Sequence, residues 1–264
     1  MEILETKTDV GLIREKNEDA AIVERHPENP NIKLLLVADG MGGKNNGQLA
    51  ANYVAYSIQK WFLNKEVEIL LDPEKTSQLL KRYIKVLNTN LLKKYGRDNL
   101  GTTLTLAIVG PRKTLILNAG DSRAYVVKKK ELLQVTEDDS EVWMYFKYGG
   151  VKKDDLRYFP TNNVITACVG ICNELCNLSE KIISNRYEML LLVTDGITDM
   201  ITDKKIKSIT RKIKKENILQ TIVNEAVAKD QNLKVPKYLR RRYKYRFIVP
   251  FKGRDNATGA IYIK

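Results

Sequence analysis

Four aspartates in this chain sit where an apolar run ends or begins. Leu34-Leu35-Leu36-Val37-Ala38-Asp39-Gly40 and Leu190-Leu191-Leu192-Val193-Thr194-Asp195-Gly196 are near copies of each other. Asn118-Ala119-Gly120-Asp121 follows a third apolar run, and Arg254-Asp255-Asn256 precedes a fourth. A carboxylate at the rim of a packed strand is costly unless something neutralises it. Several brought together suit a divalent cation, and an all-oxygen donor set favours Mg²⁺ or Mn²⁺, with water completing the shell. The glycines after Asp39 and Asp195 permit a sharp turn and leave their carbonyls free to join that shell. One Asp-Gly is an ordinary turn signal. Its repetition behind matching apolar leaders points instead to a metal centre.

Such residues need a frame to hold them. Leu49, Tyr53, Val54, Ile58, Trp61 and Phe62 recur at helical spacing and predict a helix over 46–62. Leu79, Leu80, Tyr83, Ile84, Leu87 and Leu91 predict another over 77–95, after a polar connection around Asp72-Pro73. Short β-rich runs at 20–24, 33–38, 103–109, 114–118, 124–127, 188–194 and 257–263 predict strands, with Gly110-Pro111-Arg112-Lys113 as a hairpin turn. A short helix is expected over 138–147, irregular chain to about 163, and further helices from near Thr202 and Glu216. Strands joined by short turns, with helices grouped between them, predict antiparallel sheet flanked by helices rather than a βαβ repeat.

The chain has 264 residues, of which 43% are hydrophobic and 29% charged, which excludes a disordered or fibrous protein and predicts one domain. No apolar run approaches the roughly 20 residues of a membrane span. The opening Met1-Glu2-Ile3-Leu4-Glu5 is acidic where a secretory leader is basic, so a cytoplasmic location is expected. Cys168, Cys172 and Cys176 lack the pairing of a disulfide framework and the neighbouring His of a zinc site, and read as reduced thiols. A net charge of +13 suggests a nucleic-acid or membrane binder until it is mapped. Ten basic residues and one acid fall within 229–254, a local +9, and the rest of the surface is ordinary.

Taken together, these stretches resemble the PPM (type 2C) metal-dependent serine/threonine protein phosphatases, in their compact bacterial form. The resemblance is carried by Asp9-Val10-Gly11-Leu12-Ile13-Arg14-Glu15-Lys16-Asn17-Glu18-Asp19, Val37-Ala38-Asp39-Gly40-Met41-Gly42-Gly43, Gly101-Thr102-Thr103-Leu104 and Asn118-Ala119-Gly120-Asp121-Ser122-Arg123-Ala124-Tyr125. It continues through Thr136-Glu137-Asp138, Asn163-Val164-Ile165-Thr166, Thr194-Asp195-Gly196-Ile197-Thr198-Asp199 and Asp255-Asn256-Ala257-Thr258, in the family's order. It implies an α+β sandwich of two antiparallel β-sheets packed face to face and flanked by helix pairs on both sides. A single domain over 1–264 would carry a flap at about 138–163 and a basic insertion at about 229–254.

By position, the resemblance implies that Asp39 bridges two Mn²⁺ or Mg²⁺ ions and that the Gly40 carbonyl binds one of them. Asp195 and Asp255 hold the first ion, and Glu18 faces the second with Asp19 orienting a coordinated water. Asp121 with Asp195 matches a third, weaker ion position, with Asp199 a further candidate. Arg14 matches the arginine that grips substrate phosphate, a role suited to its planar donor fork. The implied reaction is attack on phosphorus by a water activated between two ions about 3.5–4 Å apart, without a phosphoenzyme. Substrates would be proteins phosphorylated by a Ser/Thr kinase.

Several features depart from that pattern or leave choices open. Gly43 is followed by Lys44 rather than His, Gln48 stands for the usual Glu, and Met41 stands where some eukaryotic relatives carry an acid-acting His. Gly259 replaces an aliphatic residue and is expected to soften the last strand. His26, the only histidine, opens the proline-containing loop His26-Pro27-Glu28-Asn29-Pro30 and is expected at the surface. The flap aromatics Trp143, Tyr145, Phe146, Tyr148, Tyr158 and Phe159 either contact a peptide or pack the loop down. The basic segment reads as a solvated excursion, as an arm for an acidic protein, nucleic acid or anionic surface, or, through Tyr243, Tyr245, Phe247 and Val249, as an edge strand. Two rival functions also stand: hydrolysis of a small phosphate ester or nucleotide, and a binding module that retains the fold.

Overall fold

The computed structural model describes residues 1–42, 47–96, 100–171, 178–228, 235–242 and 254–264. Its two sheets are explained by alternation along two strands. In β3 (Lys33–Gly42), Leu34, Leu36 and Ala38 face one way and Leu35 and Val37 the other, and all are fully buried. In β10 (Met189–Val193), Leu190 and Leu192 face the same layer as Leu35 and Val37, while Met189, Leu191 and Val193 face away. A strand buried on both faces needs a layer on each side, so continuous apolar runs here mean four layers.

One sheet runs β2 (Asp19–Arg25), β3, β5 (Leu104–Val109), β6 (Lys113–Ala119) and β9 (Ser179–Ser184), with β4 (Leu100–Thr102) paired to the end of β3. The other runs β1 (Ile3–Asp9), β11 (Ala257–Ile263), β10, β7 (Arg123–Lys128) and β8 (Glu131–Gln134). Every strand pair is antiparallel. Helices α1 (Gly47–Leu63) and α3 (Pro73–Tyr95), linked by the short α2 (Val67–Leu70), cover the first sheet. Helices α5 (Asp195–Thr198), α6 (Asp203–Lys212) and α7 (Ile218–Val227) cover the second. Between β8 and β9 lie α4 (Glu141–Tyr148) and a 3₁₀ turn, Lys153–Tyr158. Helix α8 (Lys237–Arg242) falls within the basic segment.

Local chemistry sets the boundaries. Asp72 caps α3 by accepting from Lys75 N at 2.9 Å, with Pro73 in its first turn, so the polar connection is in fact the helix start. Thr202 caps α6 in the same way. The buried face of α1 differs from expectation. Ala50, Ala51, Val54, Ala55, Ile58 and Phe62 point inward, whereas Leu49 and Tyr53 stay exposed. Small residues let the helix approach β3 closely, and a reading weighted toward large side chains misses that face.

Gly259 does not interrupt β11, which pairs along its whole length with β1 and from Gly259 to Ile263 with β10. A Cβ there would stand 2.8 Å from Leu219 Cδ1, so the glycine admits α7 onto the strand. His26 is likewise not a surface residue. It is 1% exposed, its Nε2 bonds the Lys65 carbonyl at 2.9 Å, and its ring meets Phe62 edge-on, because the proline-flanked loop folds against the end of α1. The flap mostly packs on itself. Trp143, Tyr158 and Phe159 are buried, and Phe146 and Tyr148 are exposed. Cys168 is buried, whereas Cys172, Cys176, Lys44 and the expected edge strand at 243–249 lie outside the described residues.

Candidate metal centre

The ladder between β2 and β3 sets Asp19 and Asp39 abreast as Cα partners. Neither Asp-Gly is a turn. β3 runs on through Asp39 and Gly40 to pair with β4, and Asp195-Gly196 opens α5. The structural reason is space. A Cβ on Gly40 would lie 2.2 Å from the Gly47 carbonyl oxygen, and one on Gly196 would lie 1.9 Å from the Asn256 carbonyl oxygen. Asp121 follows β6 through a true turn, at which Gly120 has φ +112° and Thr103 fills the side-chain position.

Arg14 and Glu18 come from the β1–β2 connection, which Asn256 pins. Its Oδ1 accepts from Glu18 N at 2.9 Å, and its Nδ2 donates to the carbonyls of Val10 at 2.9 Å and Lys16 at 3.0 Å. The residue after Asp255 therefore fixes the loop that carries Glu18. Thr103 Oγ1 accepts from Asp39 N at 2.9 Å and bonds Ser122 Oγ, also at 2.9 Å, tying the Asp39 backbone to the strand after Asp121. These supporting residues lay inside the recognised stretches, but nothing in their spacing announced their partners.

Arg14, Glu18, Asp39, Gly40, Asp121, Asp195 and Asp255 line one cleft of about 240 Å³, with Met41, Thr103, Asn163 and Ile165 completing its walls. Asp19 stands behind it, and its carboxylate accepts from Thr194 Oγ1 at 3.0 Å. Asp199 lines a smaller adjoining cavity with Asp121 and Asp195, and its carboxylate accepts from Asn162 Nδ2 at 2.7 Å. That cavity is walled on the flap side by the buried pair Arg123–Asp138, with N···O distances of 2.6–2.9 Å. Breaking a buried pair by removing one partner strands the other charge, at about 3–5 kcal/mol. Arg123→Met is expected to cost that much in a denaturant melt; a loss under about 1 kcal/mol would show the pair to be dispensable.

The electrostatics of the cleft are unfavourable to bare carboxylates. Burial first, then repulsion by Asp195 and Asp19, holds Asp39 well above the usual carboxylate range. Burial, then Asp255, pushes Asp195 up to about 6, and burial, then Asp195, pushes Asp199 up to about 7. Asp19 and Asp121 are raised for the same reasons, desolvation leading. As the side chains stand, no three His, Cys, Asp or Glu groups among the described residues form a ready-made coordination set. Asp39 hydrogen-bonds Asp195, and Arg14 holds Asp255 at 2.8 Å. The donor set nevertheless fits hard divalent cations. It is all oxygen, it is crowded with like charge, and Glu18 Oε1 and Asp195 Oδ1 are buried acceptors with no protein donor.

A pH dependence follows from these shifts. Unfolded aspartates titrate near 3.9, below the folded values, so the folded state binds more protons between about pH 4 and 7. Stability without cations therefore falls as pH rises through that window. Thermal melts in chelator are expected to show a lower Tm at pH 8 than at pH 6, and Mn²⁺ to raise the Tm more at pH 8, where fewer protons must leave. A chelated protein that is more stable at pH 8 would contradict this.

The acidic cleft thus lies at the strand ends of a four-layer sandwich. Residues 14–229 match protein phosphatase 2C, and the chain belongs to that family. The match ends where the basic segment begins. The serine/threonine phosphatase stp of Listeria welshimeri is 30% identical over 211 residues, covering 78% of this chain and 82% of that protein. The crystal structure of Stp1 from Staphylococcus aureus superposes with a TM-score of 0.78 at 25% identity, over 100% of this chain and 95% of that one. The catalytic domain of the phosphatase PstP, solved with two manganese ions, shares the fold at 20% identity, with a TM-score of 0.74 and coverage of 99% and 97%. Among the described residues no helix is long and apolar enough to cross a membrane.

Proposed function

We propose that the protein is a Mn²⁺- or Mg²⁺-dependent hydrolase that removes phosphate from phosphoserine and phosphothreonine in proteins, opposing a Ser/Thr kinase. In this reading residues 1–264 form one phosphatase domain with a flap at about 138–163 and a basic insertion at about 229–254. The observation that carries it is the convergence of Glu18, Asp39, Asp121, Asp195 and Asp255, drawn from the whole length of the chain, on one cleft edged by Arg14. The names of the Listeria and Staphylococcus relatives support the substrate class, and the manganese-bound relative supports the pair of ions.

In this reading Asp39 would help hold both ions, Asp195 and Asp255 would hold the first, Glu18 would face the second, and the Gly40 carbonyl would bind one of them. Asp19 orients from behind, and Asp121 with Asp195 offers a third, weaker position beside Asp199. When bound, such ions make water nucleophilic near neutral pH and offset phosphoryl charge. The protein's own groups do the rest. Arg14, whose side chain is 47% exposed, exchanges Asp255 for the oxygens of an incoming phosphate and presents two parallel donors to them. Met41, on the cleft wall, has no proton to give, so protonation of the leaving serine or threonine oxygen must come from elsewhere. Release of phosphate from a phosphothreonine peptide is expected with Mn²⁺ and absent with chelator. Nucleotides hydrolysed faster than phosphopeptides would assign the cleft to a small phosphate ester.

A further inference from the structure

The basic segment is not a free tail where it is described. Leu239 of α8 is fully buried, and Val235 and Tyr158 beside it are each 8% exposed, so the segment inserts an apolar knob against the flap's 3₁₀ turn. Tyr238 adds a hydrogen bond from its hydroxyl to the Asp155 carboxylate, and Lys152 Nζ lies 5.4 Å from the Tyr238 ring centroid. At its far end, Arg254 lines a space of about 90 Å³ at the cleft mouth, together with Arg14, Asn162, Asn163 and Asp255. Helix α8 is thus held on the flap turn whose Leu156 and Arg157 line the cavity beside the cleft, and Arg254 stands on the rim.

What it presents is positive charge. With Leu239 turned inward, Lys237, Arg240 and Arg241 are exposed, and Lys152 extends that surface from the flap. None of the ion pairs among the described residues involves Lys237, Arg240 or Arg241. Three exposed cations on a helix anchored to the flap of a cleft that takes a phosphorylated residue complement a chain whose neighbouring residues are acidic. We propose that α8, through Lys237, Arg240 and Arg241, is a docking arm that selects phosphoproteins with acidic residues flanking the phosphorylated serine or threonine. The proposal rests on the phosphatase reading above.

Exposed charge pairs are individually weak, and a few of them together amount to about a tenfold preference. The test compares kcat/KM for two phosphothreonine peptides, one with aspartates on both sides and one with alanines, using the intact protein with Mn²⁺. The acidic peptide is expected to be favoured about tenfold, chiefly through KM, and the preference to shrink at high salt. Doubly substituted Arg240→Glu/Arg241→Glu protein is expected to lose the preference and to hydrolyse the alanine peptide and p-nitrophenyl phosphate as before. Equal rates on both peptides in the unaltered protein would overturn the arm while leaving the phosphatase reading intact. Equal loss on both peptides in the variant would do the same. Failure to hydrolyse either peptide or p-nitrophenyl phosphate would instead overturn the phosphatase reading itself. Polyuridylate that blocks acidic-peptide turnover and binds in an Arg240/Arg241-dependent manner more tightly than the peptide would assign the arm to RNA and overturn the proposal.

Discussion

Asp195→Asn is expected to lower kcat/KM on a phosphothreonine peptide by at least about 10³-fold, about 4 kcal/mol, while leaving the Tm of the chelated protein at pH 8 unchanged or higher. The two halves of this result have one cause. Asp195 is crowded by Asp39 and Asp255, it keeps one buried oxygen with no protein donor, and burial pushes its carboxyl up to about 6. At pH 8 its ionised form is therefore a strain on the fold in the absence of cations, and an amide of the same shape removes the charge. The same substitution deletes a donor oxygen needed to hold a cation. Mn²⁺ should accordingly raise the variant's Tm less than that of the unaltered protein. A variant that keeps its activity, or whose chelated form melts more than about 5 °C lower, would show that Asp195 is an ordinary structural carboxylate.

Gly40→Ala should damage both fold and activity for a steric reason. The added Cβ would sit 2.2 Å from the Gly47 oxygen and 2.5 Å from the Glu18 carbonyl oxygen, all of it backbone. Backbone cannot rotate away as a side-chain tip can, so β3 must move apart from the start of α1 or from the loop carrying Glu18. Overpacking of this kind costs about 1–3 kcal/mol. Displacement of the reacting groups by about 1 Å costs about 10²-fold in rate. Gly40→Ala is expected to show both losses, and its Mn²⁺ affinity should fall because Glu18 and the Gly40 carbonyl are displaced together. A variant with normal turnover would mean that the close approach is not needed for chemistry.

The two Asp-Gly pairs mark how far residues alone disclose a site. Asp39-Gly40 and Asp195-Gly196 are legible as places where chemistry gathers, because an acidic residue at the end of an apolar run is locally conspicuous. Their conformation was not legible. One pair continues a strand and the other begins a helix, and both glycines are demanded by chain segments far away in sequence. The alternation in β3 and β10 was hidden for a related reason. Strands buried on both faces read as continuous apolar runs, and only the layers on either side reveal which residues face which core.

Strands β1, β8 and β9 were missed because their residues are half polar and half exposed, an edge pattern that local propensity reads as loop. The helical face of α1 was misjudged because its buried alanines carry little hydrophobic signal. The stitches that hold the cleft were out of reach altogether. Asn256 meets Glu18 across 238 positions, and Thr194 meets Asp19 across 175. Docking of Leu239 on Tyr158 lay equally far from any local pattern, and it is what separates an anchored arm from a solvated charge run.

Manganese located by anomalous scattering in crystals of the intact protein would test the reading at its root. Two peaks are expected inside the cleft, both touching the Asp39 carboxylate, one beside Asp195 and Asp255 and the other toward Glu18, with the Gly40 carbonyl against one of them and Arg14 released from Asp255. Manganese absent from the cleft at saturating concentration, or bound only at surface carboxylates elsewhere, would contradict the two-ion centre and the hydrolysis built on it.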